Sequence, residues 1–129
     1  ISEDNAEAAA WFRKAAEQGH ATAQFVLGLV YANGQGVPKN DTEAARWYRM
    51  AAEQGHATAQ FVLGLMYAKG EGVRGDDVKA YAWLSIAAAQ GLENAKKGKE
   101  LLAGLMTNAQ IAKAQKLSRK YREASGPER

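Results

Sequence analysis

Ala15–Leu29 reads A-A-E-Q-G-H-A-T-A-Q-F-V-L-G-L, and Ala51–Leu65 repeats it residue for residue, 36 positions later. Trp11, Trp47 and Trp83 keep the same interval. Widened to Asn5–Val37 against Asp41–Val73, the comparison leaves 25 of 33 positions identical. A third copy starts at Asp76, keeps Trp83, Ala87, Ala88, Gln90 and Gly91, and then diverges. A fixed period of this length holds two helices and two turns and marks a stacked array. The expected fold is all-α, a solenoid of antiparallel helix pairs forming one domain. Its parts are repeat 1 over 1–37, repeat 2 over 38–73, a divergent terminal repeat over 74–106, a capping helix over 107–124 and a frayed tail over 125–129.

Each unit reads as helix A, turn, helix B and loop. Asp4 with Glu7, and Asn40 with Glu43, have the spacing of a capping box at the start of helix A. Ala8, Trp11 and Ala15, like Ala44, Trp47 and Ala51, share one helical face and are expected in the core. Gly19, Gly55 and Gly91 close the A helices, where a left-handed residue needs no Cβ. Gly28 and Gly64 stand inside the B helices at a cost of about 1 kcal/mol each against alanine. Their recurrence implies a close approach to a neighbouring helix. Gly34–Val37 and Gly70–Val73 form the loops, and Pro38 prevents helix from continuing.

The C-terminal end has the composition of a cap. Positions matching Phe61, Leu63 and Gly64 become Lys97, Lys99 and Glu100, so a packing face turns charged, as a terminal repeat requires. Thr107 with Gln110 opens a last helix whose Ile111, Ala114, Leu117 and Tyr121 form one apolar stripe. No such cap precedes repeat 1. The expectation is that further repeats lie upstream, that the chain is a processed product or fragment, and that its bare first repeat self-associates.

The 129 residues contain no cysteine, which excludes a disulfide scaffold, a thiolate metal cluster and cysteine catalysis. No apolar run approaches the ~20 residues that span a bilayer, so no membrane insertion is expected. Net charge is +3, but residues 1–92 carry 8 basic and 10 acidic side chains against 9 and 4 in the remainder. The basic residues dot amphipathic helices as a solvated face would, so nucleic-acid binding is not expected.

The pattern W-[FY]-R-x-A-A-E-Q-G-H-A-x-A-Q-F-x-L-G-x-x-Y-A-x-G-x-G-V resembles the Sel-1-like repeat (SLR), a relative of the tetratricopeptide repeat, and covers nearly the whole chain. The third unit looks like the closing repeat of bacterial SLR proteins. The resemblance implies a right-handed superhelix with A helices lining a concave side, and a role as an adaptor for proteins or peptides. Some disulfide-rich relatives bind or hydrolyse β-lactams. That alternative is disfavoured here by the missing cysteines and by the lack of an S-x-x-K arrangement, since Ser85 is followed by Ile86-Ala87-Ala88.

Other chemistry is sparse. His20 and His56 are one repeat position, read as solvated turn residues with no third metal ligand recurring beside them. The G-Q-G and G-E-G loops lack the Lys-Ser or Lys-Thr of a phosphate loop. No catalytic residue, metal or cofactor is expected. In the geometry that the resemblance implies, some positions that vary between copies of helix A, or face away from the tryptophan stripe, would line the concave side, and the expected groove is lined by Arg13, Arg46, Arg49, Met50, Tyr81 and Ser85. Its arginines suit acidic side chains or a C-terminal carboxylate of a peptide partner. The alternative reading makes these six ordinary surface residues.

Overall fold

The computed structural model describes residues 3–125, so the expected tail beyond Ser125 and the first two positions lie outside the described residues. It contains α1 (Glu3–Glu17), α2 (Ala21–Asn33), α3 (Asp41–Glu53), α4 (Ala57–Lys69), α5 (Asp77–Ala89), α6 (Glu93–Ala103) and α7 (Asn108–Ala124), with no strand among the described residues. The array is therefore the expected all-α repeat solenoid.

Local chemistry sets the ends of these helices. Asn40 and Asp76 cap α3 and α5, each side chain accepting from a backbone N–H three residues on, Glu43 and Lys79, at 3.0 Å. Glu43 does not complete a box, because its carboxylate is taken by Arg46. Asp4 falls inside α1, one residue past its first position, and not at the cap. Thr107 and Gln110 form the full reciprocal box, at 3.1 and 2.8 Å. Every A helix stops in the same way. Gly19, Gly55 and Gly91 have φ of 94°, 96° and 99°, and the residue after each donates back to the carbonyl five positions earlier. This Schellman closure satisfies carbonyls that the helix end would strand.

The B helices α2 and α4 each pack between their own A helix and the next one. At Gly28 an added Cβ would come within 2.5 Å of the Tyr48 ring, and at Gly64 within 2.9 Å of Leu84 Cγ. The glycines are thus where helix B meets the following helix A. Alanine fills half of the buried hydrophobic positions described, which lets neighbouring helices approach closely. The core runs along the array as two clusters: one around Leu27, Trp47 and Tyr48, the other around Leu63, Trp83, Leu84 and Leu102.

Two departures follow from the ends of the array. Ala44, Trp47 and Ala51 are buried as expected, but Trp11 is 74% exposed, Ala8 is exposed and Ala15 is half-buried. Trp47 shares a cluster with Leu27, Val30 and Tyr31 of the preceding helix B. No helix precedes α1 among the described residues, so the same face of α1 is bare. At the other end, α7 packs on α5 and touches α3, where a further repeat would have packed on α6. The Tyr121 ring stacks on Trp83 with centroids 4.3 Å apart and planes 13° apart. Ala114 and Ser118 of α7 are buried, while Leu101 on α6 and Leu105 in the turn after it remain 77% and 81% exposed. The closing helix covers the A side of the last unit and leaves the outer side of α6 open.

Candidate functional site

The six expected groove residues fall on α1, α3 and α5, in different surroundings. Arg13, half-buried, lies over the Tyr31 ring at 5.6 Å. Its repeat equivalent Arg49 donates to the Tyr67 hydroxyl at 2.7 Å. Lys79 also stands over the Tyr67 ring, at 5.6 Å. Arg49 reaches the field of Tyr121 as well. The pKa of that phenol is raised, chiefly by burial, and the Arg49 guanidinium opposes the rise only in part. Arg49 therefore acts at a junction of α3, α4 and α7, already committed to internal partners.

Arg46 and Met50 are different. Arg46 projects from α3 with its side chain 63% exposed, donating to Glu43 Oε1 at 3.0 Å and lying over the Trp47 ring. An exposed pair of this kind contributes about 0–1 kcal/mol and leaves the guanidinium free to exchange partners. One turn along the same helix, Met50 is exposed. Tyr81 is buried on α5 with Lys99 Nζ 5.6 Å from its ring centroid. Ser85, one turn further, is 9% exposed and its Oγ has no hydrogen-bond partner. No base lies within hydrogen-bonding distance of that hydroxyl. The structure thus brings Arg46 and Met50 together on one open face, and gives Tyr81 and Ser85 to the environment of α6.

The two copies of the histidine position differ: His20 is exposed, as its sequence context suggests, while His56 is half-buried. His20 precedes α2 without a side-chain cap, but His56 Nδ1 accepts from the Ala59 N–H at 3.1 Å. Its ring stacks on Phe25 at 4.8 Å, and burial lowers its pKa, with a smaller opposing pull from a backbone hydrogen bond. Among the described residues no three or more His, Asp or Glu side chains are grouped as a metal site would need. No described helix is long and apolar enough to cross a membrane.

A polar feature that the sequence reading did not single out runs through the core. Gln24 and Gln60 are each 1% exposed and donate to the carbonyls of Ala16 and Ala52 at 3.1 Å. Their own carbonyl oxygens accept from Gln54 and Gln90 of the next unit, at 2.7 and 2.8 Å. A glutamine ladder thus ties each repeat to its successor. The signal was available: both glutamine columns are unchanged between the first two copies, and a buried amide needs partners on both ends.

The repeat geometry agrees with the comparisons to known proteins. The Sel1 repeat model matches residues 1–20, 21–56 and 57–92, so each full match runs from a helix B through the following helix A. A crystal structure of a protective antigen present in uropathogenic Escherichia coli strains, displaying an SLR fold, superposes with a TM-score of 0.91 at 38% identity. The match covers 98% of this chain and 27% of that one. A Sel1 repeat protein from Oxalobacter formigenes matches with a TM-score of 0.73 at 44% identity, over 74% of this chain and 40% of that one. The chain thus spans well under half the length of either structure. A comparison with curated protein sequences gave no significant match. On the evidence of the repeat model, the helix-pair geometry and these two structures, the chain belongs to the Sel1-repeat family.

Proposed function

We propose that this chain is a non-catalytic protein-interaction module that presents the α3 face to a peptide or protein partner. Sel1 repeats are generally protein-interaction scaffolds. The observation that carries the reading here is the pairing of Arg46 and Met50, one turn apart and both exposed on α3. An adaptable apolar side chain beside an exposed guanidinium that can exchange its Glu43 partner is a common anchor, and suits a partner with acidic groups or a terminal carboxylate. Arg13 extends the surface on α1. Arg49 supports it from within through Tyr67, and Tyr81 and Ser85 serve a separate face.

The test is a displayed peptide library selected on the immobilised protein, followed by affinity measurement on the winning sequences. Arg46→Glu with Met50→Ala is expected to weaken binding about tenfold or more while helicity stays unchanged. Selected peptides that bind the double variant with undiminished affinity would remove the α3 face from the reading.

A further inference from the structure

The last unit holds a cleft that the interaction surface does not use. α6 and α7 both pack on α5, and the space between them has a volume of about 740 Å³. Lys96 and Lys99 line it from α6, Arg119 and Arg122 from α7, and Ser85 from α5. No carboxylate lines it. Among the described residues Lys96, Arg119 and Arg122 have no ion-pair partner, and Lys99 has only the Tyr81 ring.

Three repeat positions change together around this cleft. Arg13 and Arg49 lie against Tyr31 and Tyr67, but the third unit has Ser85 and Ala103 in those columns. Where Gln24 and Gln60 are buried in the ladder, the third unit has an exposed Lys96. The internally satisfied pairs of the first units give way to an open space and a buried Ser85 hydroxyl without a partner. Buried hydroxyls in native proteins ordinarily have one.

The chemistry of the lining narrows the ligand. Four cations face the cleft, and the C-terminal end of α5 offsets only about half a charge. Lysine and arginine donate and do not accept. A ligand must therefore be rich in acceptors and carry several negative charges in a small volume. The apolar lining is limited to Ala88 and Ala89, too shallow to seat side chains of an acidic peptide. No aromatic ring lines the cleft, so a nucleobase has nothing to stack on. Arginine forks match phosphate oxygens in pairs.

We propose that the α5–α6–α7 cleft binds a compact, soluble, multiply phosphorylated small molecule, with Arg119 and Arg122 on one side, Lys96 and Lys99 on the other and Ser85 Oγ donating from the floor. Calorimetry of the whole chain with inorganic tripolyphosphate at low salt is the direct test. Saturable one-to-one binding that weakens as salt rises is expected. Arg119→Gln with Arg122→Gln is expected to lose about tenfold or more in affinity, Lys96→Gln about threefold and Ser85→Ala about threefold, with helicity unchanged. Lys113→Gln with Lys116→Gln, on α7 but outside the lining, is the control for bulk charge and is expected to change little. Absence of saturable binding would overturn the proposal. Equal loss in the control, equal binding of tetraglutamate, or attachment to vesicles of a bisphosphorylated inositol lipid that tripolyphosphate does not displace would overturn it too.

Discussion

Gln24 and Gln60 show how one side chain serves as both core filler and connector. Each amide satisfies a carbonyl near the end of its own helix A and an amide of the next unit. Gln60→Ala removes the side-chain donor to the Ala52 carbonyl, which keeps the Gly55 N–H, takes one of two acceptors from Gln90 and leaves a small cavity. The expected loss is about 2–4 kcal/mol in urea unfolding. Gln18, the equivalent of Gln54 and Gln90, is exposed, and Gln18→Ala is expected to stay within about 0.5 kcal/mol. An equal effect of both changes would contradict the ladder. His56 gives a second residue-scale expectation. Its folded pKa lies below its ordinary 6.5, so folding favours the neutral ring, whose Nδ1 accepts from Ala59. Stability is therefore full above about pH 6.5 and falls as pH drops through the lowered folded value. In His56→Asn, which retains a capping oxygen, the melting temperature is expected to lose part of its decline between about pH 7 and pH 5. A wild-type melting temperature flat across that range would refute this linkage.

Among the elements, α7 has the least regular role, since it leaves the repeat geometry and turns back onto α5. The Trp83–Tyr121 stack is its largest aromatic contact, so Tyr121→Ala is expected to cost about 3 kcal/mol and to raise amide exchange across α7 before the other helices. Uniform acceleration of exchange in all helices would show that α7 is not a separable layer. Helix identity, the glycine closures and the close approach at Gly28 and Gly64 were all legible from the 36-residue period, because each follows from a local backbone demand repeated in register. The capping stripe of α7 was legible too, but its docking on α5 was not. Periodicity gives the apolar face of a helix and is silent about which neighbour receives it. For the same reason the six expected groove residues were found on the predicted helices but not on one surface. Tyr81 and Ser85 turn toward α6, and Arg49 is drawn inward by a tyrosine 18 positions away.

Across the whole molecule, each unit completes its core only with the next. Trp47 and Trp11 occupy one repeat position but differ in what stands in front of them. Trp47→Ala is expected to cost about 3–5 kcal/mol and Trp11→Ala less than about 1 kcal/mol, measured by denaturant unfolding. Equal costs would mean that α1 is covered in solution, and sedimentation of the two variants would then identify self-association as the cover. The exposed Trp11 also explains a limit of the sequence reading: a repeat pattern assigns one burial to a column, while the end of an array breaks that equivalence. There is a mechanical consequence of the α7 turn. Joints in series add their compliances, so bending collects at the softest one. The joint between the second and third units is held by Gln60–Gln90 and is braced again by α7, which rests on α5 and reaches α3. The joint between the first and second units has Gln24–Gln54 and the Phe25 contacts to Tyr48 and His56, with no brace across it. The second joint therefore has a brace that the first lacks among the described residues, and amide exchange is expected to be slower across it than across the first.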